Sequence, residues 1–176
     1  DEGHTAERLR SGEVLAAVTA DPAPVTGCRI TPLGTMTYCA VAAPGFIARH
    51  FGKGGDPAAA LTAAPMLRFD RRDQMQARWA RETHGVEIVP PVHWAPSTHG
   101  LLDLTLKGLG WSMAPLVLVA PHLKAKRLGE LPPGRRASVA LYWQAARLHA
   151  GALDRLTRAV VEAARAALEP QGSETQ

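Results

Sequence analysis

The sequence predicts an α/β protein in which helices are layered on a mostly parallel sheet. Three observations lead there. Short apolar, strand-like runs alternate with helical stretches along the chain. One such run, "EVLAAVT" (13–19), is almost continuously apolar, as a strand covered on both faces has to be. Residues 151–168 form an amphipathic helix, with Leu153, Leu156, Val160, Ala164 and Leu168 on one face. Asp154, Arg155, Arg158, Glu162 and Arg165 line the other.

The elements follow in order. A short helix opens the chain, with Thr5 able to cap it and Ser11-Gly12 able to end it, and strand 13–19 comes next. "CRITPL" (28–33) and "MTYCAVA" (36–42) read as two strands around a turn at Gly34-Thr35. Pro44-Gly45 precedes a helical piece, "FIARHF", and "GKGGDP" (52–57) is a loop. A short strand at 65–69 leads to a polar helix at about 73–84, for which Gly85 is the stop. "EIVPPVHWA" (87–95) is a strand whose two prolines place it at an edge or a bulge. A helix over 98–107, a strand "WSMA", a helix from Pro115, a short strand "RLGEL" and a longer strand "SVALYWQAA" (138–146) complete the series before the last helix. "QGSETQ" is expected to be a disordered tail.

Composition narrows the function classes. Apolar residues are 46% of the 176, enough for a core, and aromatics only 5%, so Leu, Val and Ala must fill it. The net charge is +4, with the 20 Lys and Arg scattered. The densest group, Arg71, Arg72, Arg78 and Arg81, is interleaved with Asp70, Asp73 and Glu82, which suits a solvated helix face better than a nucleic-acid surface. Cys28 and Cys39 have no metal spacing and read as buried free thiols. No signal peptide and no run of 18 apolar residues is present, so a cytoplasmic protein without metal or cofactor is expected, although the chain begins at Asp1 without a methionine.

The stretch "APSTHGLLDLTLKGLGWSMAP" (95–115) holds the candidate chemistry. Gly108 and Gly110 follow a helix and precede a strand, the reverse of a dinucleotide loop, so Gly108 reads as a helix stop and Gly110 as a tight turn. Asp103 and Lys107 stand four apart in the order that favours an ion pair. The other end, "PSTHG" (96–100), lies where a strand hands over to a helix. Unpaired N–H groups and the helix dipole favour an anion there, and Ser97 and Thr98 add hydroxyls. The same residues also serve as ordinary N-caps, and the sequence leaves both readings open.

The ordered set "AERLRSGEVLAAVT", "MTYCAVAAPGF", "STHGLLDLTLKGLGWSMAP" and "VALYWQ" resembles the effector-binding domain of LysR-type transcriptional regulators. "GLGWSMAP", "LYWQ" and "FDRRDQMQ" are most similar to the lysine/arginine-responsive subgroup. The resemblance covers about residues 5–168. It implies two Rossmann-like lobes joined by two crossover strands, a periplasmic-binding-protein-like arrangement of type II. Lobe I would comprise 1–43 and 146–170, lobe II 44–145, and 171–176 the tail. Set against the family's pattern, the N-terminal winged helix-turn-helix and linker helix are expected to be absent from this sequence, and the first lobe to be short of its first strand and helix.

What the resemblance implies about function follows. The partner would be a small effector, lysine or arginine, gripped between strand ends of the two lobes. DNA would be met only through the missing domain, no membrane is involved, and the assembly would be a homodimer or homotetramer. Carried onto this chain, the effector positions are Thr19 and Asp21 in the first lobe and Asp70, Ser97, Thr98 and His99 in the second. Ser97 and Thr98 would take the α-carboxylate, and Asp21 or Asp70 a cation. Asp21 before Pro22 also suits a turn, and Asp70 a surface pair with Arg71 or Arg72. Asp73 fits helix capping, His99 an exposed helix start, and Trp111, Tyr142 and Trp143 packing. A solute-binding protein of a transport system shares the architecture and is the alternative. An enzyme is disfavoured, because Ser97 and His99, two apart on a helix start, do not face each other as a nucleophile and base must.

Overall fold

The computed structural model describes residues 5–52 and 54–170, and the expected tail at 171–176 lies outside them. The elements run α1 (Thr5–Ser11), β1 (Ala16–Thr19), β2 (Cys28–Ala42), α2 (Pro44–His50) and α3 (Pro57–Ala63). Then come β3 (Met66–Arg68), α4 (Met75–His84), β4 (Val92–Trp94), α5 (Thr98–Leu106) and β5 (Ser112–Pro115). The chain closes with α6 (Leu116–Lys124), β6 (Gly129–Glu130), β7 (Arg136–Ala146), a 3-10 turn over 147–149 and α7 (Ala150–Ala167). Two units separate by contact, Asp1–Thr37 with Ser138–Gln176, and Tyr38–Ala137. β2 and β7 are the strands that run from one unit into the other.

In the first unit β1 pairs antiparallel with β7, from Ala16 opposite Ala145 to Thr19 opposite Tyr142. The inner face of α7 packs Val160, Val161, Ala164 and Leu168 against Leu33, Leu141 and Trp143. Its inward stripe is turned from the expected one, since Leu156 is exposed and Thr157 instead accepts a hydrogen bond from Trp143 Nε1 at 3.0 Å. Gln144, fully buried, ties the 20s loop down: Val25 N–H donates to its Oε1 at 2.8 Å, and its Nε2 donates to Ala23 O at 2.9 Å. Both hydrogen bonds use a side chain of β7 to satisfy loop backbone, and that of Val25 is buried.

The expected turn at Gly34 does not exist; β2 is one strand of 15 residues. Gly34 has φ +137°, and a Cβ there would lie 2.7 Å from Glu169 O and from Leu168 Cβ. The chain leaving α7 crosses the strand at that point: Thr35 N–H donates to Glu169 O at 2.8 Å and Glu169 N–H to Thr35 O at 3.1 Å. The glycine marks a close backbone approach inside a strand, not a reversal.

In the second unit β2 is sandwiched. Alternate side chains point to opposite faces, so Ala40 and Ala42 join a core with Phe46, Leu61, Met66, Trp79 and Trp111. Cys39 and Val41 face Ala114, Val119 and Leu128. β5 and β6 both run antiparallel to β2, while β3 pairs in parallel with β4 and makes a parallel bridge from Met66 to Trp111. A mostly parallel sheet was therefore the wrong expectation. Parallel neighbours are enforced by βαβ crossovers, and a strand that enters from another unit is free of that constraint.

Local signals explain several helix ends. Gly85 and Gly108 adopt positive φ (68° and 74°) at the ends of α4 and α5, as their sequence positions predict. α3 escaped the sequence reading; Asp56 caps it by accepting from Ala58 N and Ala59 N at 3.0 and 3.3 Å, with Pro57 in the first turn. Gly110 has no positive φ. It is needed because a Cβ would sit 2.9 Å from Pro65 O and 3.0 Å from Leu67 Cγ, so its role is close packing, not a tight turn.

Both cysteines are buried and free. The Cys39 thiol is pushed from 9.0 up to about 11, first by burial and then by the Glu130 carboxylate, with Arg136 opposing. A folded value above the unfolded one stabilises the fold fully below the unfolded value, and this contribution is lost as pH rises from 9 towards 11. We expect denaturant midpoints to fall more steeply over that window in the unaltered chain than in Cys39→Ala. Identical pH profiles would contradict the assignment.

Candidate functional site

β3 and β4 pair in parallel with Arg68 opposite Trp94, and Ala95 N–H donates to Arg68 O at 3.0 Å. Their carboxyl ends therefore finish side by side, the place where open α/β sheets offer a ligand site. Two segments start from there. One is the turn from β3 into α4, the other the handover from β4 into α5.

The turn is tied together by its acids. Asp70 Oδ1 accepts from Arg72 N at 2.7 Å and Asp73 N at 3.0 Å. Asp73 Oδ1 accepts from Met75 N at 3.0 Å, but the N-cap of α4 is Gln74, which makes no side-chain cap bond, so Asp73 closes the turn one residue ahead of the cap position expected for it. Asp73 Oδ2 accepts from Phe69 N at 3.3 Å and from Gln76 Nε2 at 3.2 Å. The same amide of Gln76, a residue 1% exposed, also donates to Leu67 O at 3.0 Å. Arg71, Arg72, Arg78 and Arg81 are all exposed, and Arg81 pairs with Glu87 at 3.1 Å, so this basic group is a solvated face as expected.

At the second segment Ser97 is the N-cap of α5, extended at φ −155°, its Oγ accepting from Gly100 N at 3.2 Å. Ser97, Thr98 and His99 are all exposed. Capping and an open helix start thus coexist: the hydroxyl of Ser97 serves one amide, and the first-turn N–H groups keep their polarity toward the strand ends. Ser97 Oγ bonds the backbone and not His99, so no nucleophile–base pair forms here. Among the described residues Asp103 and Lys107 make no ion pair; their link is Lys107 N–H to Asp103 O at 3.0 Å. α5 is held to β5 by a buried hydroxyl pair, Thr105 Oγ1 to Ser112 Oγ at 2.8 Å.

Thr19 and Asp21 belong to the other unit, at the carboxyl end of β1. Thr19 is 1% exposed and its Oγ1 accepts from Asp21 N at 3.0 Å. Asp21 is exposed, and its Oδ1 accepts from Ala23 N at 2.9 Å, the turn-forming role its sequence context suggests.

Sequence reasoning missed Arg68 and Trp94. The Arg68 guanidinium carbon stands 5.2 Å from the centroid of the Trp94 ring, a cation–π distance. The two are 26 positions apart, and only the register of the parallel pair brings them together. Elsewhere in this unit Pro44, Ile47, Ala48, Phe51, Gly52 and Gly129 line an open depression of about 460 Å³. Its lining offers no charged side chain, so it does not suit a zwitterion. Among the described residues no cluster of metal-ligating side chains occurs and no helix is long and apolar enough to cross a membrane.

Comparison with known proteins places this geometry. The family described as the LysR substrate binding domain matches residues 1–169. The HTH-type transcriptional regulator ArgP of Pseudomonas aeruginosa is 42% identical over 137 residues, 78% of this chain and 45% of ArgP. The C-terminal domains of a LysR family protein from Agrobacterium tumefaciens superpose with a TM-score of 0.91 at 50% identity, covering 97% of this chain and 82% of that one. Full-length LysG from Corynebacterium glutamicum, solved with the effector Arg bound, gives 0.84 at 36% identity, covering 97% of this chain and 58% of LysG. The chain spans about half the length of the curated relatives it matches. With a family match along nearly its whole length and the periplasmic-binding-protein-like α/β fold of type II, the chain belongs to the LysR family as an effector-binding domain related to those of LysG and ArgP.

Proposed function

We propose that this domain senses a basic amino acid, lysine or arginine, on behalf of a transcriptional regulator. The observation that carries the reading is the convergence of the β3 and β4 ends, where an acid-stitched turn meets the exposed start of a nine-residue helix. An amino acid needs both kinds of group: N–H polarity for its carboxylate and carboxylates for its cations. Ser97, Thr98, His99 and Asp70 are the effector contacts of the second unit in this reading, with the first-turn amides of α5 taking the α-carboxylate. Thr19 and Asp21 are those of the first, Asp21 keeping Oδ2 for a cation. In this reading the two units, 1–37 with 138–176 and 38–137, stand for lobes I and II, which the resemblance places at 1–43 with 146–170 and at 44–145. LysG with bound arginine supports the choice of effector.

The role is recognition and not catalysis. DNA contact and homo-oligomer assembly belong to the longer regulator, which acts in the cytoplasm. The transport-receptor alternative is not favoured, because the relatives matched are regulators of transcription.

A ligand that binds only the folded state stabilises it by about 2.7 kcal/mol at a hundredfold excess over its Kd. At roughly 2–4 °C per kcal/mol, lysine or arginine at millimolar concentration should raise the Tm of the full-length regulator by several degrees. Glutamate should leave it unmoved. No shift with either basic amino acid would sink the proposal.

A further inference from the structure

A guanidinium stays charged at every ordinary pH, and taking it out of water is costly unless an anion meets it. Arg68, at the end of β3, is half-buried. Its Nη2 donates to Arg71 O at 3.3 Å and to Asp73 O, and its Cζ lies over Trp94. Those partners hold the group still without neutralising it. Nε is buried with no hydrogen-bond partner, and Nη1 has none among the described residues. Among the described residues no carboxylate comes within ion-pair distance of it. The neighbouring acids serve the turn: Asp73 accepts from Phe69 N, Met75 N and Gln76 Nε2, and Asp70 from Arg72 N and Asp73 N. Gln76 Oε1, in the same network, is also buried and unpartnered. The β3–α4 turn thus holds a fixed cation with donors to spare, next to a spare acceptor, facing the strand end that leads to α5.

The geometry points to Arg68 as the residue that receives the effector's carboxylate, positioned by Trp94 and by the carbonyls of Arg71 and Asp73. This inference rests on the amino-acid reading above and deepens it, adding a formal charge to the helix-start amides. It makes the site discriminate an amino acid from the diamine or guanidine that shares its side chain. Ser97, whose Oγ accepts from Gly100 N, supplies no charge, and the amides alone discriminate less.

The test is isothermal titration of the full-length regulator with L-arginine and with agmatine, which is arginine without its carboxylate. Unaltered protein is compared with Arg68→Gln and Arg68→Lys, and thermal melts report folding. Arg68→Gln should weaken L-arginine binding by about tenfold or more while agmatine binds as weakly to both proteins. Arg68→Lys, keeping the charge on a smaller head, should recover part of the loss, and it carries the comparison if Arg68→Gln does not fold. L-arginine bound as tightly by both variants as by the unaltered protein overturns the role of Arg68 and leaves the effector reading intact. An equal loss of L-arginine and agmatine overturns it as well, because the effect is then not on the carboxylate. Unaltered protein that binds neither L-arginine nor L-lysine overturns the effector reading, and this inference with it.

Discussion

Trp111→Ala should cost about 3–5 kcal/mol, the range for truncating a large buried aromatic. Trp111 is 0% exposed and stands at the centre of the core that joins β2, β3, β5 and α4. Its ring lies 5.8 Å from that of Trp79, and its backbone extends the sheet, with Leu67 N–H donating to Trp111 O at 2.8 Å. Close packing leaves the neighbours little freedom to collapse into the space, since Gly110 is already pressed against Pro65 and Leu67. Domains have about 5–15 kcal/mol of stability in total, so the variant should be near its threshold, with a Tm lower by roughly 6–20 °C. Trp111→Phe separates packing from polarity. The indole Nε1 has no hydrogen-bond partner, so losing it removes an unsatisfied donor, and Phe should cost clearly less than Ala. Equal losses in the two variants, read by thermal melts, would mean that a phenyl ring recovers none of the packing and would contradict this prediction.

Gly34→Ala should be the most disruptive change in the first unit, at about 2–4 kcal/mol. Two effects add. A φ of +137° strains any residue with a Cβ, and that Cβ would lie 2.7 Å from Glu169 O and Leu168 Cβ. The chain can relieve the overlap by releasing the segment after α7, at the expense of the paired hydrogen bonds between Thr35 and Glu169. Hydrogen exchange distinguishes this from general unfolding. The amides of Thr35 and Glu169 should lose protection first, before those of β1 and β7. Unchanged protection at both amides together with an unchanged Tm would show that the crossing is looser than it stands here.

The sequence was most legible where a single residue type solves a local problem. Gly85 and Gly108 end their helices because only glycine takes left-handed backbone freely, and Ser97 opens α5 because a hydroxyl can satisfy an orphan amide. Alternation of strand-like and helical runs was enough for the α/β class, and the ordered motifs for the family. α3 was lost because "PAAALTA" carries no charged face, so periodicity has nothing to contrast. Gly34 was misread because a glycine between two apolar runs looks the same whether the chain reverses there or another segment crosses it.

By itself, then, the sequence determined the type of most elements, the glycine stops of α4 and α5, the buried thiols and the family, all of which depend on neighbours within a few residues or on ordered motifs. Only the tertiary structure decided the pairing of strands, the crossing of the α7 exit over Gly34 and the placing of Arg68 against Trp94. Each of those depends on which distant backbones lie 5 Å apart, roughly the spacing of hydrogen-bonded strands, and no local preference of a residue encodes its partner across a sheet.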